Sequence, residues 1–204
     1  MNRVATPALA LVLIASLAGC GGAVPRRPTA ALPPPTPAGE ACGGQIEDAA
    51  PGNHDRFGFE DEGGLHGFRD GRGAVVIPPR YSFAYEFGAG GVAAVVEAPT
   101  TVAGSVRFGF IDPGGRWLAD AYAFDNGPDY FQEGLARIRG ADGTVGFITR
   151  DGTIVIRPQF ADADSFCHGV ATVHDGAQAW DIDRTGAELG PRRPYVPEPD
   201  PCGD

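Results

Sequence analysis

Five side chains near the C-terminal end of the sequence are of types that could act together in a chemical site. They are Asp162, Asp164, Cys167, His168 and His174. Carboxylate, imidazole and thiolate groups are the usual protein ligands of zinc, and a cysteine beside a histidine can become a reactive thiol. Such a cluster would support a hydrolase or a metal-dependent enzyme.

Two observations argue against a site at these positions. Neighbouring residues on a strand point to opposite faces, and the matching linker of an earlier, similar segment, residues 83–90, contains no Asp, Cys or His. The sequence also lacks G-x-S-x-G, H-E-x-x-H, C-x-x-C and a phosphate-binding loop. We therefore predict no catalytic residues, no cofactor and no metal, and we keep the enzyme as the alternative.

The five residues belong to a segment that resembles an earlier segment of the same chain. Residues 146–173 read GFITRDGTIVIRPQFADADSFCHGVATV, and residues 67–95 read GFRDGRGAVVIPPRYSFAYEFGAGGVAAV. A third Gly-Phe segment begins at Gly109, so the copies start 42 and 37 residues apart. A period near 40 residues is typical of a repeat architecture.

Each Gly-Phe segment is followed by a four-residue turn with Asp or Thr first and Gly last. The turns are Asp61–Gly64, Asp70–Gly73, Asp112–Gly115, Thr149–Gly152 and Asp183–Gly186. Asp or Thr can bond the turn backbone, and a final Gly can adopt a positive φ. We predict a positive φ at Gly73, Gly115 and Gly152.

The segments that follow these turns predict two further strands in each copy. A Val/Ile run returns from the turn and is predicted to stop pairing at Pro78-Pro79 or Pro158, because proline cannot donate to a sheet. A linker with one aromatic residue leads to a third strand, such as the alternating LARIR at 135–139. No segment has a sustained helical period, so each copy is predicted to be a three-stranded antiparallel meander and the fold to be all-β.

The pattern resembles the WG (KWG) repeat of bacterial proteins, W-G-F-I-D-x-x-G-x-x-V-I-P-P-x-Y-x-x-A-x-x-F-x-x-G-L-A-x-V. The resemblance covers roughly residues 57–186, although the Trp is replaced by Phe57, His66, Phe108, Val145 and Ala179. It implies a β-rich, often exported binding protein without catalytic residues. We expect three to four repeats in an elongated array, with a small propeller-like closure as the alternative.

The aromatic residues divide into two groups. The phenylalanines that recur in register are expected to form the core: Phe57, Phe59, Phe68, Phe108, Phe110, Phe147, Phe160 and Phe166. Trp117, Tyr130 and Trp180 fit the repeat least well. We predict that these three contribute to a surface contact with a partner.

The first 20 residues predict export and lipid attachment. Residues 1–19 contain a short apolar run typical of a signal peptide, and Leu17-Ala18-Gly19-Cys20 resembles the lipobox of bacterial lipoproteins. The resemblance implies that Cys20 is acylated and anchors the chain in the cell envelope. Because Gly21 replaces the Asp that retains such lipoproteins at the inner membrane, it implies the outer membrane, facing the periplasm or the cell surface.

Composition suggests the remaining boundaries. Residues 20–41 are proline-rich and are predicted to be a tether, residues 42–190 the repeat domain, and residues 191–204 a Pro-rich tail. The net charge is −10, with 26 acidic and 16 basic residues, which argues against nucleic acid as a partner. The predicted partners are the membrane, through the anchor, and an unknown protein or cell-wall component, for which the repeats serve as a non-catalytic binding or scaffolding module.

Three cysteines remain if Cys20 is acylated: Cys42, Cys167 and Cys202. An odd number in an oxidising compartment leaves one unpaired. Cys42 and Cys202 lie outside the repeats, so we predict that they form a disulfide, with Cys42–Cys167 as the alternative pair.

Overall fold

The structure, a computed structural model, describes residues 31–42, 52, 54–98, 106–124 and 126–197. These residues form strands and turns and include no α-helix, so the all-β prediction is confirmed. Within this described part, no helix is long and apolar enough to cross a membrane. The predicted signal peptide, Cys20 and Cys202 lie outside the described residues.

The described residues contain three antiparallel sheets. The strands are β1 (Phe57–Glu60), β2 (His66–Arg69), β3 (Val75–Ala84), β4 (Ala93–Glu97), β5 (Phe108–Ile111), β6 (Trp117–Ala121), β7 (Ala123–Phe124), β8 (Gly127–Pro128), β9 (Leu135–Arg139), β10 (Val145–Thr149), β11 (Ile154–Phe160), β12 (Asp162–Ala163), β13 (Val170–His174), β14 (Gln178–Asp183) and β15 (Arg193–Pro194). The largest sheet has nine strands in the order β1-β2-β3-β4-β5-β6-β9-β10-β11. Strands β12 to β15 form a four-stranded sheet, and β7 and β8 form a two-stranded one.

This strand order confirms the predicted three-stranded meander for repeats one and two, whereas in repeat three the third strand lies in the second sheet. Repeat one is β2-β3-β4, repeat two is β5-β6-β9 with the β7–β8 hairpin inserted, and repeat three is β10-β11 followed by β13 in the second sheet. At the two ends of the large sheet, β1 pairs only with β2 and β11 only with β10 among the described strands. The sheet is therefore an open array over the described residues.

The five predicted turns have the expected geometry. In the turn after β10, for example, the amide of Gly152 donates to the Thr149 carbonyl over 3.0 Å. In the turn after β2, the Asp70 carboxylate accepts from the Arg72 and Ala74 amides at 2.9 and 2.8 Å. Gly73, Gly115 and Gly152 have φ values of 86°, 80° and 82°, as predicted.

The prolines after the returning strands act differently from the prediction. Pro78-Pro79 lies inside β3 and Pro158 inside β11, where each strand bulges against its Gly-Phe neighbour. A Cβ at Gly67 would lie 2.5 Å from the Ile77 carbonyl oxygen, and Gly146 has the same relation to Ile156. The prolines therefore form a bulge that needs a glycine beneath it, and pairing continues beyond them.

The core repeats one aromatic contact. The Phe of the Gly-Phe strand packs edge to face on the Phe before the third strand, at 4.8 Å for Phe68–Phe87 and 4.8 Å for Phe147–Phe166. Repeat two has a tilted pair at 5.3 Å between Phe110 and Phe131. Of the recurring phenylalanines predicted to form the core, Phe68, Phe110, Phe147, Phe160 and Phe166 are buried, and Phe59 and Phe108 are partly buried. The prediction is wrong for Phe57, which lies on the end strand β1 and is 47% exposed.

Candidate functional site

The structure divides the five chemically active residues of positions 162–174 between two places. Asp162, Asp164 and His174 line a groove at the second sheet. Cys167 and His168 lie in the turn before β13, beside the proline-rich residues near the N-terminus. They therefore do not form a common site.

Cys167 is bonded to Cys42, with 5.5 Å between the two Cα atoms. The predicted Cys42–Cys202 pair is therefore wrong, and the alternative pair is present. The reason is that residues 31–41, assigned from composition to a tether, lie on the repeat domain and bring Cys42 to the turn. Cys42, Cys167 and His168 also form the described group of His, Cys, Asp or Glu residues whose ligand atoms approach within 4.8 Å, but both sulfurs are held in the disulfide.

Two of the residues in the groove at the second sheet, Asp162 and His174, make contacts with tyrosines of other segments. Asp162 accepts a hydrogen bond from the Tyr122 hydroxyl at 3.1 Å. Burial raises the pKa of Tyr122 above its ordinary value, and the charge of Asp162 adds to the shift. The His174 ring stacks on Tyr195 of the C-terminal segment at 3.7 Å. These contacts hold the linker and the tail in place.

A buried ion pair lies behind this groove. Arg137 is 7% exposed and Asp129 is 3% exposed, and Asp129 accepts from the Arg137 Nε and Nη2 at 3.0 and 2.8 Å. Burial acts to lower the pKa of Arg137, but the hydrogen bonds and charge of Asp129 outweigh it and hold that pKa above its ordinary value. Arg137 also donates to the Ala163 carbonyl at 3.0 Å, so the pair joins repeat two to the start of the second sheet.

Of the three aromatic residues predicted to contact a partner, Trp180 is buried and the prediction is wrong for it. Its ring is 5% exposed, packs on Phe160 at 5.9 Å, and is covered by the Arg192 guanidinium at 3.8 Å. Trp117 is half-buried and stacks over Gly109, where a Cβ would overlap its ring. It thus occupies, in repeat two, the place that the proline bulge takes in repeats one and three.

Tyr130 does lie at a surface, and it belongs to a larger group that the sequence did not indicate. We define the aromatic surface as Phe83, Tyr85, Val106, Phe124 and Tyr130. Phe83 and Tyr85 meet edge to face at 5.0 Å, and Phe124 and Tyr130 at 6.4 Å. Two adjoining depressions, which share Tyr85 and Pro128, are lined by four of these residues. Phe124 lines neither depression and adjoins them through Tyr130.

The aromatic surface is unusual in its exposure. Phe83 is 46% exposed, Phe124 44% and Val106 56%. Phe83 and Tyr85 occupy the repeat positions that Asp162 and Asp164 occupy in repeat three. Comparing the linkers of the repeats position by position would have identified these two residues, because rings replace carboxylates there.

A second surface is formed by two equivalent hairpin turns. Turn two is Gln132–Leu135 and turn three is Cys167–Val170, and each is closed by a pair of backbone hydrogen bonds. We call residues 31–42 the strap. The strap crosses both turns in a groove lined also by Phe131 and Phe166, and the disulfide joins its end to turn three.

Comparisons with known proteins identify the repeat. The family model described as WG containing repeat matches residues 67–97 and 146–174. Comparison with curated proteins finds no match. Among solved structures, the crystal structure of BamB from Moraxella catarrhalis is similar over 69% of this chain and 61% of that chain, with 12% sequence identity and a TM-score of 0.29. The chain thus spans less than two thirds of that structure, and a TM-score this low does not establish a shared fold.

Proposed function

We propose that this chain, a WG-repeat-containing protein, is a lipid-anchored protein of the bacterial cell envelope whose repeat domain binds a protein or cell-wall partner without catalysing a reaction. The aromatic surface is the contact site. The membrane anchor is the acyl group on Cys20, and the outer membrane is the membrane concerned.

The exposed aromatic surface is the observation that carries the proposal. Exposed apolar patches on soluble domains mark binding sites more often than solitary apolar residues do. Tyrosine and phenylalanine rings contribute large contact areas and little rotamer entropy, and tyrosine is enriched at binding hot spots. Tyr85 and Tyr130 lie outside the strands, and Phe83 lies next to the end of β3 with its side chain exposed.

The polar side chains near the candidate cluster make structural contacts, which supports a binding role over a catalytic one. Asp129 and Arg137 neutralise each other, and Asp162 and His174 are engaged with Tyr122 and Tyr195. Cys167 is held in a disulfide. Asp162, Cys167 and His174, three of the five residues considered for a catalytic site, thus hold structural elements together.

The net charge of −10 limits the class of partner. An acidic domain repels a polyanion, so nucleic acid is a poor partner. An aromatic surface on an acidic domain suits apolar side chains of a protein or the rings of a glycan, and these two classes are separated by the experiment.

Photo-crosslinking in cells tests the proposal. A photoreactive phenylalanine at position 85 or 124 of the full-length protein should give discrete adducts. The matched control is Phe57, which is 47% exposed and lies on β1. Adducts of defined mass identify a protein, and adducts released by muramidase identify the cell wall. A pattern at 85 and 124 no different from that at 57 would overturn the proposed contact site.

A further inference from the structure

The strap sits on the repeat domain through its prolines. A Cβ at Gly134 of turn two would lie 2.5 Å from Cδ of Pro33, and one at Gly169 of turn three would lie 3.3 Å from Cβ of Pro35. Each proline ring therefore rests on a backbone that has no side chain at that point. Leu32, just before them, packs against the core of repeat three.

Three side chains bind the backbone of the strap. The Glu133 carboxylate accepts from the Thr36 amide at 2.6 Å and from the Gly169 amide at 2.9 Å. The His168 ring nitrogen Nδ1 lies 2.9 Å from the Thr36 carbonyl oxygen. Arg184 donates to the Pro33 carbonyl and, at 3.2 Å, to that of Glu133.

In both turns, two successive residues at equivalent positions contact the strap in the same way. Glu133 and Gly134 have φ values of 50° and 81°, and His168 and Gly169 have 53° and 80°. The first residue of each pair supplies a side chain to the Thr36 peptide, and the glycine supplies a flat face to a proline. Successive repeats thus offer one proline position each.

The spacing of the ligand fits this arrangement. Pro33 and Pro35 are two residues apart, which is about 6 Å in a polyproline II strand at roughly 3.1 Å per residue. Proline-rich segments bind with little loss of conformational entropy because they are already extended. Glu133 is 7% exposed, so its carboxylate is directed at the strap and turn three, away from solvent.

We propose that the groove over turns two and three is a binding site for proline-rich segments with the pattern Pro-x-Pro-Thr, and that residues 32–37 are its own ligand, locked in place by the Cys42–Cys167 disulfide. The linked strap acts at a high effective concentration and excludes other segments.

A dithiol reduces the Cys42–Cys167 disulfide and frees the strap: the two protein sulfurs gain two electrons and two protons, and the dithiol becomes a disulfide. The groove then exchanges its strap for the proline-rich segment of a partner. The groove adjoins the aromatic surface at Phe131, but the two sites share none of the residues changed in their tests, so the two proposals are tested separately.

The probe for this site is a fluorescent peptide of residues 30–38, AALPPPTPA, measured by fluorescence anisotropy with the full chain. The oxidised wild type should not bind it, because the strap occupies the contacts on turns two and three. A variant with C42S, C167S, P33A and P35A, in which the strap is weakened and unlocked, should bind it. A peptide with alanine at the two corresponding proline positions should bind that variant at least roughly tenfold more weakly, the loss that about 1.4 kcal/mol produces.

The groove residues provide the second part of the test. Adding E133Q to the unlocked variant should weaken peptide binding at least roughly tenfold, because a charge-assisted hydrogen bond is lost. If E133Q does not fold, His168→Gly replaces it, since glycine adopts a positive φ without strain and has no side chain to reach Thr36. E188Q, at an exposed carboxylate beyond the groove, is the control and should not change binding. The proposal is overturned if the folded, unlocked variant fails to bind the peptide, binds the alanine peptide equally well, or keeps its affinity in both groove variants.

Discussion

Two glycines, Gly67 and Gly146, are required by the backbone of the neighbouring strand, not by a turn. In each case the proline bulge passes over the glycine, and a Cβ would lie 2.5 Å from a carbonyl oxygen. Real Cβ atoms do not approach backbone so closely, so the bulge or the pairing would have to shift. This contact gives the glycine of the Gly-Phe pair a physical role in the repeat.

We expect Gly146→Ala to lower the free energy of unfolding by about 1–3 kcal/mol, the usual cost of overpacking a close contact. Gly88→Ala is the control, because the nearest atom to its added Cβ is 3.8 Å away, and it should change stability by less than about 0.5 kcal/mol. Urea unfolding followed by tryptophan fluorescence measures both. Equal effects of the two substitutions would argue against the bulge contact.

At the scale of single residues, the sequence predicted backbone conformation better than exposure. Gly73, Gly115 and Gly152 follow from local turn chemistry, and the structure confirms their positive φ. Trp180 was predicted at the surface, but the side chains that cover it, Phe160 and Arg192, come from other elements. Burial depends on such non-local packing, which one strand's pattern does not contain.

At the scale of elements, the turn after β14 is an Asp-stabilised turn whose strength depends on charge. The Thr185 side chain and the amides of Thr185, Gly186 and Ala187 donate to Asp183 and hold the pKa of its carboxyl below the ordinary value. A carboxyl with a lowered pKa in the folded state stabilises that state above its unfolded pKa of about 3.9, and the contribution disappears as the pH falls through the folded pKa.

We therefore expect Asp183→Asn to reduce the loss of stability between pH 7 and pH 3. At pH 7 the variant should keep the turn, because an asparagine oxygen accepts the same amide hydrogen bonds. Urea midpoints of the wild type and the variant at the two pH values test this. An identical drop in both proteins would show that the turn carboxylate is not one of the groups that titrate with unfolding.

The strap is the element that the sequence did not predict. Its composition, with Pro33, Pro34, Pro35 and Pro37, indicates an extended segment with little to bury. Its position depends on Glu133 and His168, which belong to turns in two different repeats. The same omission explains the wrong cysteine pair, because Cys42 reaches Cys167 only when the strap lies across both turns.

At the scale of the whole molecule, the meander order follows from the sequence because the strands of the large sheet pair in chain order, with β6 and β9 adjoining across the inserted β7–β8 hairpin. Short turns leave a strand few partners other than its neighbour, so the repeat pattern determines the large sheet. The aromatic surface does not follow in the same way. It combines the end of β3 in repeat one with the β7–β8 hairpin inserted in repeat two, and only the three-dimensional arrangement places them together.

Lipid attachment through Cys20 is expected to hold the whole molecule at a membrane. Cys20 lies outside the described residues, and its acylation rests on the sequence. Each buried CH₂ of an acyl chain contributes about 0.8 kcal/mol, so several chains anchor stably, whereas a domain of net charge −10 has no electrostatic attraction to an acidic membrane. Cys20→Ala should therefore move the protein fully from the membrane fraction to the soluble fraction after carbonate washing. Cys202→Ala, the control, should leave it in the membrane fraction, and retention of the Cys20 variant would contradict lipid anchoring.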